Sequence, residues 1–104
     1  MKKSFTKVLP VVVALCFATE AGAYDFEAEG VYFNILSETD KTVEVTSGDY
    51  AYAGSVILPS TVNSGGITYA VTAIGENAFF DCVDLTSVEI PDGVVSIGYG
   101  AFEF

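Results

Sequence analysis

Histidine and arginine are absent from this 104-residue chain, and beyond residue 23 the one basic side chain is Lys41. Each absence excludes something. A hydrolytic triad needs a base, usually histidine, beside its nucleophile. A structural zinc site needs a set of thiolates and imidazoles, which this chain does not offer. A chain that binds nucleic acid neutralises phosphates with lysine and arginine, so nucleic acid is not an expected partner. Cysteine is also scarce. Of the two, Cys16 and Cys82, only Cys82 lies outside the N-terminal leader described below, so no internal disulfide is expected to staple the fold. It has no neighbouring cation in sequence to lower its pKa.

What is abundant is acid. From Asp25 to Glu103 there are thirteen carboxylates against Lys41, a net charge of −12. Such a surface is repelled by anionic membranes and keeps a protein soluble. The carboxylates are scattered over turns and strand faces, which suits solvated positions better than a glycosidase pair. Asp81, Asp84 and Asp92 lie close in sequence but lack the spacing of a calcium loop. No catalytic residue, metal ligand or cofactor site is expected.

The first 23 residues read as a leader. Met1-Lys2-Lys3 is basic, the run Val8–Phe17 is apolar apart from Pro10, and Thr19-Glu20-Ala21-Gly22-Ala23 presents small residues where a signal peptidase inspects them. Cleavage between Ala23 and Tyr24 is expected. The apolar run is about half the roughly 20 residues a spanning helix needs, so no membrane insertion is expected once the leader is gone. Leu15 before Cys16 argues against a lipoprotein site. The chain is expected to be exported, to the cell surface or medium, with the periplasm as a third destination.

Residues 24–54 have the pattern of a β-hairpin cap. Val31–Leu36 is aromatic and β-branched, Ser37-Glu38-Thr39-Asp40 is a turn cluster, and Lys41–Thr46 alternates, with Val43 and Val45 on one face. Ser55–Leu58 is a short strand stopped by Pro59. Val62–Tyr69 is a second hairpin, and its Gly65-Gly66 pair supplies the positive φ angles of a tight turn.

The last third repeats itself. Val71, Ile74, Gly75, Ala78 and Phe79 recur as Val94, Ile97, Gly98, Ala101 and Phe102, all at an offset of 23. A weaker echo pairs Val56-Ile57-Leu58-Pro59 with Val88-Glu89-Ile90-Pro91 at an offset of 32, so the glycine-rich hairpin counts as a nine-residue insertion. A period in the low twenties is the length of one coil, a short strand and a return segment, in a leucine-rich repeat. On that reading Leu85, Val88 and Ile90 face inward, Ser87 and Glu89 outward, Pro91-Asp92-Gly93 turns a corner, and Val94 and Ile97 fill the core. Gly98 allows a tight bend, and Ala101-Phe102 sits on a short helical turn.

The segment Ile74-Gly75-Glu76-Asn77-Ala78-Phe79-Phe80-Asp81-Cys82-Val83-Asp84-Leu85-Thr86-Ser87-Val88-Glu89-Ile90-Pro91 resembles the BspA-like, or Treponema-type, leucine-rich repeat, I-G-x-x-A-F-x-x-C-x-x-L-x-x-V-x-I-P. The resemblance implies a mostly β right-handed solenoid of short parallel strands and short helical turns over residues 55–104, one complete unit with partial ones, behind the antiparallel hairpin cap. It implies a buried Cys82. It also implies export and a non-enzymatic role in adhesion or recognition. Because Phe104 precedes the next expected cysteine, the array is expected to be truncated.

The candidate binding surface is the outward face of the parallel strands: Ser55 and Ile57 from one coil, Ser87 and Glu89 from the next. Stacked coils hold such positions in rows about 4.8 Å apart, suited to an extended partner. An extracellular protein or glycan is the expected ligand. Tyr50 and Tyr52 are further exposed candidates, and self-association through the open C-terminal coil is a further expectation. The alternative is a structural N-terminal cap, or a degenerate fragment of a longer protein with no activity of its own.

Overall fold

A computed structural model describes residues 24–104. Residues 1–23, with the expected leader and its expected cleavage site at Ala23, lie outside the described residues. Among the described residues eight strands follow in order: β1 (Phe26–Ala28), β2 (Val31–Ser37), β3 (Thr42–Thr46), β4 (Gly54–Ile57), β5 (Thr61–Ser64), β6 (Ile67–Ile74), β7 (Leu85–Glu89) and β8 (Ser96–Ile97). No helix occurs among the described residues.

The hairpins form where alternation and turn chemistry place them. β2 and β3 pair antiparallel, with Phe33 opposite Val45 and Ile35 opposite Val43. Their inward side chains are fully buried: Phe33, Val43 and Val45 show no exposure. Each contributes about 1.5–3 kcal/mol of apolar burial. β5 and β6 pair antiparallel around Gly65 (φ +60°) and Gly66 (φ +84°), the consecutive left-handed pair that a two-residue hairpin turn requires.

The expected hairpin cap is part of something larger. β1 adds to β2, and β3 pairs in parallel with β6, giving a sheet in the order β1-β2-β3-β6-β5. The sheet curls until β1 faces β5, and the rings of Phe26 and Tyr69 meet at 6.0 Å between centroids. The inserted hairpin thus reaches back over the cap and nearly closes the sheet around Phe33, Val43, Val62, Tyr69 and Val71.

β6 belongs to both halves of the molecule. One edge of it pairs with β3. The other edge is shared: Ile67–Ala70 bind β5, while Ala73 and Ile74 bind β8 in parallel. A second sheet, β4 and β7, is parallel and two-stranded. Between β6 and β7, residues 75–82 stack on residues 98–104 through Asn77 N–H to Tyr99 O (3.1 Å), Phe79 N–H to Ala101 O (2.8 Å) and Asp81 N–H to Glu103 O (2.8 Å). The sequence offset of 23 is therefore a physical layer, with Ala73 beside Ser96 and Ile74 beside Ile97.

The expected helical turns are not helical. Gly75–Ala78, Phe79–Cys82 and Gly98–Ala101 are turns, each closed by an amide bonding the carbonyl three residues back, and a further bond from Phe80 N–H to Asn77 O links the first two. Their third residues, Asn77, Asp81 and Gly100, have φ of +58°, +60° and +70°. A left-handed residue every few positions stops a helix from propagating.

An aromatic column crosses the layers. Tyr24 packs on Tyr32 (4.6 Å), Tyr32 on Tyr52 (5.8 Å), Tyr52 on Phe79 (4.6 Å), and Phe79 lies parallel to Phe102 (5.1 Å, 4° between planes). The last layer has no neighbour beyond it among the described residues. Ile97, expected in the core, is 53% exposed, and Ile90 is 38% exposed. Inward positions of a coil are buried only when another coil covers them.

Candidate functional site

The β4–β7 ladder begins with Gly54 N–H to Asp84 O (3.0 Å) and ends with Leu58 N–H to Glu89 O (3.0 Å). Between these bonds Ser55 pairs with Ser87, Val56 with Val88, and Ile57 with Glu89. Alternation then sends Val56 and Val88 toward the core, where both are partly buried, and leaves the other four outside. Ser55, Ile57, Ser87 and Glu89, the binding candidates named from the sequence, are exposed, in register, on one face. The Ser87 hydroxyl donates to Ser55 Oγ at 2.9 Å, tying neighbouring coils together at the surface.

Sequence reasoning missed Thr86. Gly54 pairs with Leu85 while Ser55 pairs with Ser87, so β7 carries one extra residue in a bulge, and Thr86 is exposed there. The signal was present in the uneven spacing of Leu85 and Val88, which strict alternation would set two apart. Beside β7 an open groove of about 250 Å³ is lined by Leu85, Thr86, Ser87, Val88, Ile90, Phe102 and Phe104.

Tyr50 is 78% exposed, as expected, but Tyr52 is buried at 6%. It occupies the place in the aromatic column that Phe79 and Phe102 take in later layers, and Ala51-Tyr52 echoes Ala78-Phe79 and Ala101-Phe102. Its hydroxyl donates to Thr46 O (2.6 Å) and accepts from Tyr32 N–H (3.0 Å). Thr46 and Tyr32 are themselves ladder partners, so the phenol bridges the two strands where the direct bond between them is replaced. Burial raises the Tyr52 pKa above the ordinary tyrosine value, against the opposing pull of its backbone bond to Tyr32.

Cys82 is buried and free, in contact with the core that includes Phe79 and Tyr52. Among the described residues no group of three or more His, Cys, Asp or Glu side chains gathers as a metal site, and Asp81, Asp84 and Asp92 are not brought together as one. No helix among them is long and apolar enough to cross a membrane.

Comparison with known proteins accounts for the layered geometry. A leucine-rich repeat protein from Bacteroides ovatus is 34% identical, with a TM-score of 0.69, over 76% of this chain and 21% of its own. A leucine rich cell surface protein from Faecalibacterium prausnitzii is 31% identical, with a TM-score of 0.62, over 74% of this chain and 20% of its own. The chain therefore spans about a fifth of the length of these solved structures. No functionally curated protein matches it. Residues 46–104 match the family described as BspA type leucine rich repeat region (6 copies), a span that takes in Tyr52 as well as the strand face. With the repeating layers, the buried Cys82 and this match, the chain belongs to the BspA-type leucine-rich repeat family.

Proposed function

We propose that this chain is an exported, non-enzymatic recognition module that binds an extracellular partner across the β4–β7 face. Residues 1–23 act as a cleaved signal peptide with Tyr24 as the mature N-terminus, residues 24–54 act as the N-terminal cap, and residues 55–104 are repeat layers in a right-handed solenoid. Cleavage releases the chain to the cell surface or beyond it. The observation that carries the binding role is the register of the face. Ser55, Ile57, Ser87 and Glu89 are exposed side by side, and none of them fills the core. An isoleucine 69% exposed in the middle of a strand loses apolar burial that a packed position would provide, and a partner laid across the face restores it. The layered resemblance to a cell surface protein supports the same location and role.

The test is a binding screen of extracellular-matrix proteins and neutral glycans, comparing wild type with Ser87→Arg and Ile57→Arg. These substitutions add bulk and charge at solvent positions, where surface changes alter stability by about 0.5 kcal/mol or less. Loss of binding with an unchanged circular dichroism spectrum is the expected result. Retained binding in both variants removes this face as the site. N-terminal sequencing of the exported protein, expected to begin at Tyr24, checks the processing step.

A further inference from the structure

We infer that the partner held by the β4–β7 face is a cationic polypeptide segment in extended conformation rather than a glycan; the inference rests on the proposal that this face is the binding face. Its first support is charge complementarity. From residue 42 to residue 104 the chain carries eight carboxylates and no basic side chain. Three of them follow β7 along its length: Asp84 just before the strand, Glu89 within it and Asp92 just beyond, all exposed. Among the described residues the one side-chain cation is Lys41, just before β3 of the other sheet. The field over the face is thus uncompensated, which favours cationic partners and repels polyanions such as sulfated or sialylated glycans.

The second support is the shape of the pair Ile57 and Glu89. They are neighbours across a parallel ladder, about 4.8 Å apart along the hydrogen-bonding direction, and both point outward. An exposed aliphatic group beside a carboxylate is the complement of a lysine or arginine side chain, whose methylene stem lies on apolar surface while its head reaches a charge. The exposed side chains on the strands of the face are Ser55, Ile57, Thr86, Ser87 and Glu89; the rings of Phe102 and Phe104 lie off the strands, in the adjoining groove that Thr86 and Ser87 also line. Ser87 already gives its hydroxyl proton to Ser55, and the remaining serine lone pairs and the carboxylates make the surface rich in acceptors, which suits a donor-rich ligand.

The experiment measures fluorescence anisotropy of a labelled short peptide of alternating arginine and threonine with the purified chain. A glutamate–threonine peptide of equal length and a heparin oligosaccharide serve as comparison probes. The arginine peptide is expected to bind and the two anionic probes not to. Glu89→Lys is expected to weaken binding about tenfold at low salt, while Glu27→Lys, the same charge change on β1, alters it less than about twofold. Affinity is expected to fall as salt rises from about 0.02 to 0.2 M. Equal weakening by Glu27→Lys and Glu89→Lys would overturn the inference, because it would assign the attraction to net charge alone. So would failure of the arginine peptide to bind, or preferential binding of heparin. If Ser87→Arg abolishes binding in the matrix screen while Glu89→Lys leaves the arginine peptide unaffected, the face stands as a site and the cationic partner falls.

Discussion

Replacing Tyr52 by phenylalanine removes one oxygen atom and tests whether the cap and the repeat layers are joined through it. That oxygen donates to Thr46 O and accepts from Tyr32 N–H, both groups being in buried residues. Phenylalanine keeps the ring contacts with Tyr32 and Phe79, so the change isolates the two hydrogen bonds. A neutral bond contributes about 0.5–1.5 kcal/mol net, and leaving a buried partner unsatisfied costs about 1–3 kcal/mol. Two bonds with two buried partners therefore imply a loss of about 2–3 kcal/mol, unless β2 and β3 close to pair directly. For a domain of this size, each kcal/mol lowers Tm by about 4–8 °C, so a fall of roughly 10–20 °C is expected. Thermal denaturation followed by circular dichroism measures it, with Tyr50→Phe, at a residue 78% exposed, as the control that leaves the midpoint unchanged. Amide exchange adds a local readout, since the Tyr32 N–H should lose protection. A Tyr52→Phe midpoint equal to that of Tyr50→Phe, with the Tyr32 amide still protected, would refute the bridging role.

Two further perturbations follow from the layers. Gly98 and Gly75 occupy equivalent positions, yet they should respond differently to alanine. A Cβ at Gly98 would lie 2.6 Å from Glu76 N and 2.8 Å from Gly75 C, both backbone, whereas one at Gly75 would meet the Glu44 carboxylate at 2.9 Å, the far end of a flexible side chain. Gly98→Ala should cost about 1–3 kcal/mol of overpacking and Gly75→Ala less, measured by urea midpoints; the reverse order would contradict the stacking. At high pH, the Tyr52 pKa is raised by burial, and that of Tyr24 by burial and by its bond to Asp49. Both folded values lie above the ordinary value of about 10, so their contribution is present below pH 10 and is lost as pH rises through the folded values, because the unfolded chain ionises first. Alkaline titration should show stability falling above about pH 10, with a shallower fall in Tyr52→Phe; an equal slope in the two proteins would contradict the assignment.

Much of this molecule was legible in its sequence because its signals are local or periodic. Alternation placed Val43 and Val45 inward, Gly65-Gly66 marked a hairpin, and the offset of 23 named the partners that stack, as the pairing of Ile74 with Ile97 and the parallel rings of Phe79 and Phe102 show. The outward positions Ser55, Ile57, Ser87 and Glu89 followed from the offset of 32 and the two-residue period of a strand. Tyr52 was less legible. Its neighbours in sequence are exposed, and only the echo of Ala51-Tyr52 in Ala78-Phe79 hinted that it belonged to the core.

The sequence by itself determined the chemistry: an acidic chain without histidine or arginine, a repeat of defined length, and the residues that face outward from its strands. Those are properties of composition and period, which hold whatever the chain packs against. Only the tertiary structure decided that β6 serves both sheet halves, that the inserted hairpin folds back to curl the cap around Phe33 and Tyr69, and that left-handed residues break the return segment into turns rather than a helix. It also decided that Ile97 stays half exposed. Burial depends on what lies on the other side of a residue, and in a layered protein that is settled by the neighbouring layer, not by the residue's own surroundings in sequence.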